Sequence, residues 1–269
     1  MMKRLLTSMV AAGVALACAT TAAFAGSRQS SDPTLPIEQV SAFADRVQQD
    51  LAARGAHVAL VARVGRDPAQ LPAGVAYTHV GIWVYSDIEM ADGRKLRGYA
   101  VHNLYQRADD PNVSDLIQDY PADFFAGAYS LDAGVIVPDR RLQAKLLEVV
   151  NAPTYRTLHN PSYSLVANPD SNAFQNCTEH TLNLLMAALY DSSDMAQIKA
   201  NTRAHFRAQT IEISPLKRLI GPMVMDGVAM SDHTRSVRTA TFITIADFMN
   251  RFDLAESAYR LTPTELAPL

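Results

Sequence analysis

The stretch from residue 168 to residue 185, NPDSNAFQNCTEHTLNLL, constrains the fold more than any other part of the chain. Its first half is rich in turn-forming residues, and its second half places apolar residues at helical spacing after Cys177. Asn176 is a residue type that caps helix N-termini, and Glu179 follows it at the spacing of a capping box. The pattern therefore predicts a helix whose first residue is Cys177, entered through a tight turn.

A cysteine at the first position of a helix is a candidate nucleophile, because the positive end of the helix dipole favours the reactive thiolate. The alternative is that Cys177 is a small buried apolar residue, as solitary cysteines often are. The other cysteine, Cys18, lies in a predicted leader, so the folded domain is expected to hold no intramolecular disulfide. A free thiol in an oxidising compartment is a liability unless it is buried or used, which favours the nucleophile.

Residues 1–25 have the pattern of a secretory signal peptide. Lys3 and Arg4 precede an apolar run, and Ala23-Phe24-Ala25 is a small-x-small cleavage site. We therefore expect a periplasmic or secreted protein with no transmembrane segment after cleavage. Leu16-Ala17-Cys18 resembles a lipobox, which leaves lipidation at Cys18 open as an alternative. Removal of the leader takes the formal net charge from −3 to −5, so no nucleic-acid partner is expected.

Residues 26–269 are predicted to form a single α+β domain, with a C-terminal extension from about residue 191. The order of patterns is typical of helices packed against a mostly antiparallel sheet. Helical periodicity covers 36–54, 138–150, 194–207 and 245–252, a mixed segment with a short helical pattern covers 111–125, and strand-like runs cover 57–64, 75–86, 98–105, 134–137, 209–213 and 239–243.

His79 lies in the clearest of these strands, 75–86, and is the candidate general base for a cysteine nucleophile. A hairpin turn centred on Asp92-Gly93, or one centred on Met90-Ala91, places His79 and His102 on the same face of the sheet. His102 would then orient His79 and set its tautomer. The alternative is that His79 is a core residue whose hydrogen bonds are satisfied.

Three further residues are expected on the substrate side of the site. Trp83 shares the predicted face of His79, with core packing as its alternative role. Gln106 shares the face of His102 and is also a weaker candidate for orienting the base, and Asn176 precedes the nucleophile directly. His180 follows the nucleophile by three residues, but too few further ligands lie nearby for a metal site. No cofactor is expected.

The run T-H-V-G-I at 78–82 and the later run N-C-T-E-H at 176–180 resemble the circularly permuted papain-like superfamily. That superfamily includes NlpC/P60-like peptidases and lecithin:retinol acyltransferase-like proteins, and its histidine strand precedes its cysteine helix. The resemblance implies a permuted papain-like core, with Cys177 as nucleophile, His79 as general base and His102 as the polar residue on the following strand. Thr178 interrupts the run that the acyltransferase-like branch shows, so the substrate class stays open. The whole chain, including R-V-G-R-D at 63–67, resembles a secreted bacterial family of unknown function.

The leading hypothesis is a periplasmic cysteine-dependent hydrolase or acyltransferase that acts on an amide or ester bond through a thioester intermediate. Its substrate would be a cell-envelope peptide, another amide or an acyl lipid, with the amide slightly favoured. The alternative is a non-catalytic envelope binding module on a papain-like scaffold, because a fold does not imply a function. A third hypothesis is an envelope protein anchored by a lipid on Cys18.

Overall fold

The structure is a computed structural model that describes residues 34–89, 93–212 and 226–269. The predicted signal peptide, with Cys18, lies outside these residues, and so does Asp92 of the predicted hairpin turn. Within the described ranges, the chain forms seven α-helices and a seven-stranded antiparallel sheet that is not closed into a barrel. The α+β prediction is therefore confirmed. None of the described helices is long and apolar enough to cross a membrane.

The main sheet is built around β1 (Val58–Val64), and every neighbouring pair of strands is antiparallel. All residues of β1 are buried, because helices cover both faces of the sheet at its centre. Its sequence is therefore a nearly continuous apolar run, interrupted only by Arg63. On one side of β1 lie β2 (His79–Glu89), β3 (Lys95–Gln106) and β4 (Ser114–Asp119). On its other side lie β5 (Ser130–Pro138), β8 (Ala255–Leu261) and β9 (Leu266–Pro268). A separate two-stranded ribbon is formed by β6 (Gln209–Ile211) and β7 (Val237–Thr239).

One face of the sheet is covered by α1 (Ile37–Ala53) and α2 (Pro121–Ala126). The buried residues of α1 recur at three- and four-residue spacing, so they form one stripe along the helix. This stripe packs with Phe124 and Phe125 of α2 against odd-numbered residues of β1 and β2, such as Trp83.

The other face is covered by four helices, α3 (Arg140–Asn151), α5 (Cys177–Tyr190), α6 (Met195–His205) and α7 (Phe242–Arg251), while α4 (Thr154–Thr157) is a single turn. In α5, every residue from Cys177 to Ala188 is buried, because the helix packs between β2, β3, α3 and α6. The N-terminus of this central helix is thereby held against the sheet.

Three parts of the chain differ from the sequence-based expectations. β4 and α2 occupy the segment for which only a mixed, helical pattern was predicted. The strand predicted at 239–243 is instead the end of β7 and the start of α7, because the hydroxyl of Thr241 accepts a hydrogen bond from the backbone N–H of Thr244 and caps the helix there. β8 and β9 were not predicted, and they extend the main sheet beyond β5.

The register between β2 and β3 reverses the predicted relation of His79 and His102. Ile82 lies opposite His102 and Glu89 lies opposite Lys95, so the hairpin is centred on a residue. Both predicted turns were centred between two residues. Because side chains alternate along a strand, a change of one residue in register moves a side chain to the other face. His79 and His102 therefore lie on opposite faces of the sheet, and the prediction that they share a face is wrong.

Candidate active site

The N-terminus of α5 carries the helix cap that the sequence predicted. The side-chain oxygen of Asn176 accepts a hydrogen bond from the backbone N–H of Glu179 at 2.9 Å, and Cys177 is the first helical residue. Glu179 does not complete a capping box, because its buried carboxylate pairs with Lys199 of α6. The Thr178 hydroxyl donates to the carbonyl of Ala240 at 2.7 Å. These bonds hold the start of α5 in one position relative to the sheet and α7.

The Cys177 thiol lies on the α5 side of the sheet near the start of β2, where the backbone N–H of Val80 acts on the sulfur in the direction that lowers its pKa. The backbone N–H of Thr178 acts in the same direction. Burial nevertheless raises the pKa of the thiol to about 11, although these donors and the positive charge of Arg63 act in the opposite direction. The loss of hydration thus outweighs the stabilisation of a thiolate by the helix N-terminus, and Cys177 is a neutral thiol in the resting protein.

β2 and β3 stop pairing at the point where Cys177 meets the sheet. The last pair joins Ile82 to His102, and His79 and Val80 lie beyond it at the start of β2. Val80 is the residue whose N–H acts on the sulfur. His79 is the immediate chain neighbour of Val80, but side chains alternate along a strand, so its ring lies with Trp83 and Phe124 on the α1/α2 face, whereas Cys177 lies on the α5 face. Among the described residues, no hydrogen bond joins the imidazole to the thiol.

His79 is a buried, neutral imidazole. Its ring stacks on Tyr105 with centroids 4.6 Å apart and lies 5.4 Å from the ring of Phe124. Its Nε2 atom is 3.0 Å from Oδ1 of Asn103 on β3. Burial lowers the pKa of His79 well below its ordinary value, and the charge of Arg63 lowers it further, so the ring is uncharged.

The amide of Asn103 sets the tautomer of His79. Its nitrogen donates to the carboxylate of Asp119 at 2.7 Å and to the carbonyl of Val101 at 3.2 Å, and both of these groups are acceptors. The amide oxygen must then face His79, so Nε2 carries the proton and Nδ1 holds a free lone pair. Nδ1 is buried and has no hydrogen-bond partner among the described residues. Gly81 leaves the space that Asn103 occupies, since a Cβ there would meet its Oδ1 at 2.7 Å.

A buried polar network surrounds this pair. The carboxylate of Asp119 also accepts a hydrogen bond from the Tyr105 hydroxyl at 2.8 Å. Burial raises the pKa of Asp119 to about 7. The hydrogen bonds that its carboxylate accepts from Tyr105 and Asn103 act in the opposite direction. The guanidinium of Arg63 donates to the carbonyl of Phe124 and lies over the rings of Phe124 and Tyr105, at 5.3 and 5.8 Å. The network therefore places the cation of Arg63 and a carboxyl group that is only partly ionised at neutral pH around a neutral base.

His102, the residue predicted to orient His79, belongs to a different cluster on the opposite face. Its ring lies 5.5 Å from that of Tyr155, which in turn lies 5.4 Å from that of His180. Burial lowers the pKa of His102 to about 4 and that of His180 to about 3. Among the described residues, no group of three or more His, Cys, Asp or Glu side chains is arranged to hold a metal ion.

A cavity of about 470 Å³ opens beside Cys177. Its deep part is formed by buried residues that include Tyr77, Tyr163, Cys177 and Ala240. Its mouth is formed by exposed residues that include Gln70, Pro72 and Glu212. The residues that line it come from six separate segments of the chain, so only the folded protein contains this site.

The three residues expected on the substrate side have different positions. Asn176 lines the cavity. Trp83 lies on the His79 face as predicted, but it is fully buried among Tyr99, Phe124 and Phe125 and does not line the cavity. Gln106 is buried on the His102 face, where its side chain donates to the carbonyl of Pro111 at 2.8 Å.

Sequence reasoning missed Asn103, Asp119 and Arg63. Asn103 is the immediate neighbour of His102, and an even hairpin register would have placed it on the His79 face. Arg63 interrupts an otherwise apolar strand, which is a signal of a charge buried for a purpose. Asp119 gave no such signal, because its strand was not predicted.

The model of the family described as "Uncharacterized protein conserved in bacteria (DUF2145)" matches residues 50–249. The matched range contains Cys177, His79 and Asn103. No curated protein and no solved structure matches the chain. The resemblance to the papain-like superfamily stays a prediction.

Proposed function

This chain belongs to the uncharacterised bacterial family DUF2145, and we propose that it is a cysteine-dependent hydrolase or acyltransferase that cleaves an ester or amide bond. The observation that carries the proposal is the position of the Cys177 sulfur. It lies at a helix N-terminus beside a cavity and near Val80, the chain neighbour of His79, whose Nδ1 carries no proton. The predicted leader supports a periplasmic or secreted location for this activity.

In the proposed reaction, the Cys177 sulfur attacks the carbonyl carbon of the substrate while Nδ1 of His79 takes the thiol proton. The imidazole rests on the α1/α2 face of the sheet, so this transfer requires it to reach the sulfur past the end of the β2–β3 pairing. The new bond joins sulfur to the carbonyl carbon, and the bond from that carbon to oxygen or nitrogen breaks. The leaving alcohol or amine takes the proton from His79. Water, or a second acceptor, then attacks the thioester, gives its own proton to His79 and regenerates the thiol.

Both reacting groups are neutral at rest, so His79 acts as a general base during attack rather than as one half of a resting ion pair. Asn103 replaces His102 in the orienting role, since it is the residue that contacts His79. The backbone N–H groups at the start of α5 would stabilise the negative charge that develops on the carbonyl oxygen.

The proposal is tested with the purified mature protein and two chromogenic probes, p-nitrophenyl butyrate and alanine p-nitroanilide. We expect turnover of at least one probe, with an acyl adduct on Cys177 in intact-protein mass spectra. Cys177→Ala should abolish turnover, and His79→Ala should lower kcat by roughly 10²- to 10⁴-fold, the usual contribution of a general base.

A matched pair of variants on neighbouring residues of β3 separates the two candidates for the orienting role. Asn103→Ala should lower kcat with little change in KM, because it releases the tautomer of His79. His102→Ala should leave kcat near the wild-type value, because its ring packs on Tyr155 and makes no contact with His79. If His102→Ala lowered kcat and Asn103→Ala did not, or if Cys177→Ala were fully active, the proposed arrangement would be excluded.

A non-catalytic binding module is the second candidate, and the burial of the reacting groups favours it. His79 is 1% exposed and does not line the cavity, so a substrate bound beside Cys177 reaches the imidazole only if some of the surrounding structure is displaced. Under this alternative, the cavity binds a ligand and none of the probes is turned over by the wild-type protein.

A further inference from the structure

We infer that the cavity beside Cys177 binds the unbranched acyl chain of an ester substrate, rather than a peptide. The inference rests on the proposed function of Cys177 and names its substrate class. It depends on the chemistry of the cavity walls, on the depth at which the sulfur lies, and on the position of the charged residues.

Most of the wall surface of the cavity is apolar, and its aliphatic and thioether side chains include Leu71, Val75, Leu165, Ile211, Val228 and Met230. Buried polar side chains also line it, among them Asn176, Thr178 and Thr241. Buried N–H and C=O groups need hydrogen-bond partners, and a peptide brings one of each with almost every residue. An acyl chain brings only the carbonyl that reacts, so it matches these walls.

The two charged residues that line the cavity are less buried than its deepest residues, although Arg66 lies near Tyr163. Arg66 is half-buried and Glu212 is exposed, whereas Cys177 lies among buried residues. A hydrocarbon chain can therefore lie against the apolar walls while a polar group remains at the hydrated mouth. The volume of about 470 Å³ is within the range of small-molecule sites, roughly 300–1,000 Å³.

With such a substrate, the ester C–O bond breaks as the bond from sulfur to the acyl carbon forms. The alcohol leaves with the proton that His79 took from the thiol. Water then releases the fatty acid and restores the Cys177 thiol, so the net reaction consumes only the ester and water.

The test is a series of p-nitrophenyl esters from acetate through butyrate and octanoate to dodecanoate, assayed with the mature protein. We expect kcat/KM to rise by up to roughly fourfold for each methylene group that enters the cavity, and to level off once the cavity is filled. Val75→Trp should abolish this rise, because Val75 lines the cavity near its mouth. Ala76→Trp is the matched control, since Ala76 is exposed and does not line the cavity.

The outcomes separate this inference from the proposed function. If Cys177-dependent turnover is equal for acetate and octanoate, or occurs only with alanine p-nitroanilide, the acyl-chain inference is overturned while the proposed function stands. If no probe is turned over, the proposed function fails, and calorimetry with octanoate and dodecanoate tests the cavity alone in Cys177→Ala. Binding that tightens with chain length and is lost on adding Val75→Trp supports the acyl-chain site, and the absence of binding overturns it.

Discussion

Alkylation of Cys177 by iodoacetamide should be slow at neutral pH and should rise with pH until about 11. Only the thiolate reacts, and burial raises the pKa of this thiol to about 11. At about pH 7.5, the thiolate fraction is then roughly 3 in 10⁴, compared with about one in ten for an exposed thiol whose pKa is about 8.5. Ionisation alone therefore slows alkylation by roughly 300-fold, and limited access of the reagent slows it further.

The assay follows the peptide that contains Cys177 by mass spectrometry after timed alkylation and quenching, at a series of pH values. Glutathione in the same buffers provides the rate of an exposed thiol. Each sample also needs its circular dichroism spectrum, because partial unfolding at high pH would expose the thiol and imitate a titration.

His79→Ala should leave this pH profile unchanged while it lowers kcat. The ring of His79 is neutral in the resting protein, so it contributes no positive charge that stabilises a thiolate. An alkylation midpoint well below about 8.5 that moves upward in His79→Ala would refute the reasoning. It would show that Cys177 and His79 form a thiolate–imidazolium pair at rest, and that burial does not dominate the pKa of the thiol.

Two further predictions concern stability. Gly81→Ala should lower the free energy of unfolding by about 1–3 kcal/mol and reduce turnover, because the new methyl group would meet the amide of Asn103 at 2.7 Å. Gly98→Ala, where the nearest atom is the flexible end of Ile88 at 3.2 Å, is the control and should cost less in the same urea titration. His180 has a folded pKa of about 3, so it binds its proton only after unfolding, and stability should fall as the pH drops below about 6.5. In urea titrations at several pH values, His180→Phe should remove up to about 1.4 kcal/mol per pH unit of that slope, and equal slopes in both proteins would contradict the assignment.

The start of α5 was predictable because a helix start is set by residues close together in the chain. The cap residue Asn176 and the apolar spacing after Cys177 are local signals, and the structure begins the helix at Cys177. The partner of Glu179 was not predictable in the same way. Its carboxylate pairs with Lys199, which α6 brings close only after the helices have packed.

The two hairpin strands were also predicted, but the residues that face each other across them were not. Local sequence indicates that β2 and β3 exist, whereas the register depends on the length of the connection between them. A change of one residue decides whether His102 or Asn103 faces His79. This one-residue difference in register explains why the orienting role was assigned to His102 instead of its neighbour Asn103.

The sequence by itself determined the fold class, the family and the two residues, Cys177 and His79, on which the proposed chemistry depends. Tertiary structure decided the state and the surroundings of those residues. The pKa of the thiol depends on how much water the packed helices and strands exclude, and the partner of the imidazole depends on strand register. The cavity is assembled from segments that are far apart in the chain. Hydration, register and distant contacts arise only when the chain is folded, so no local pattern encodes them.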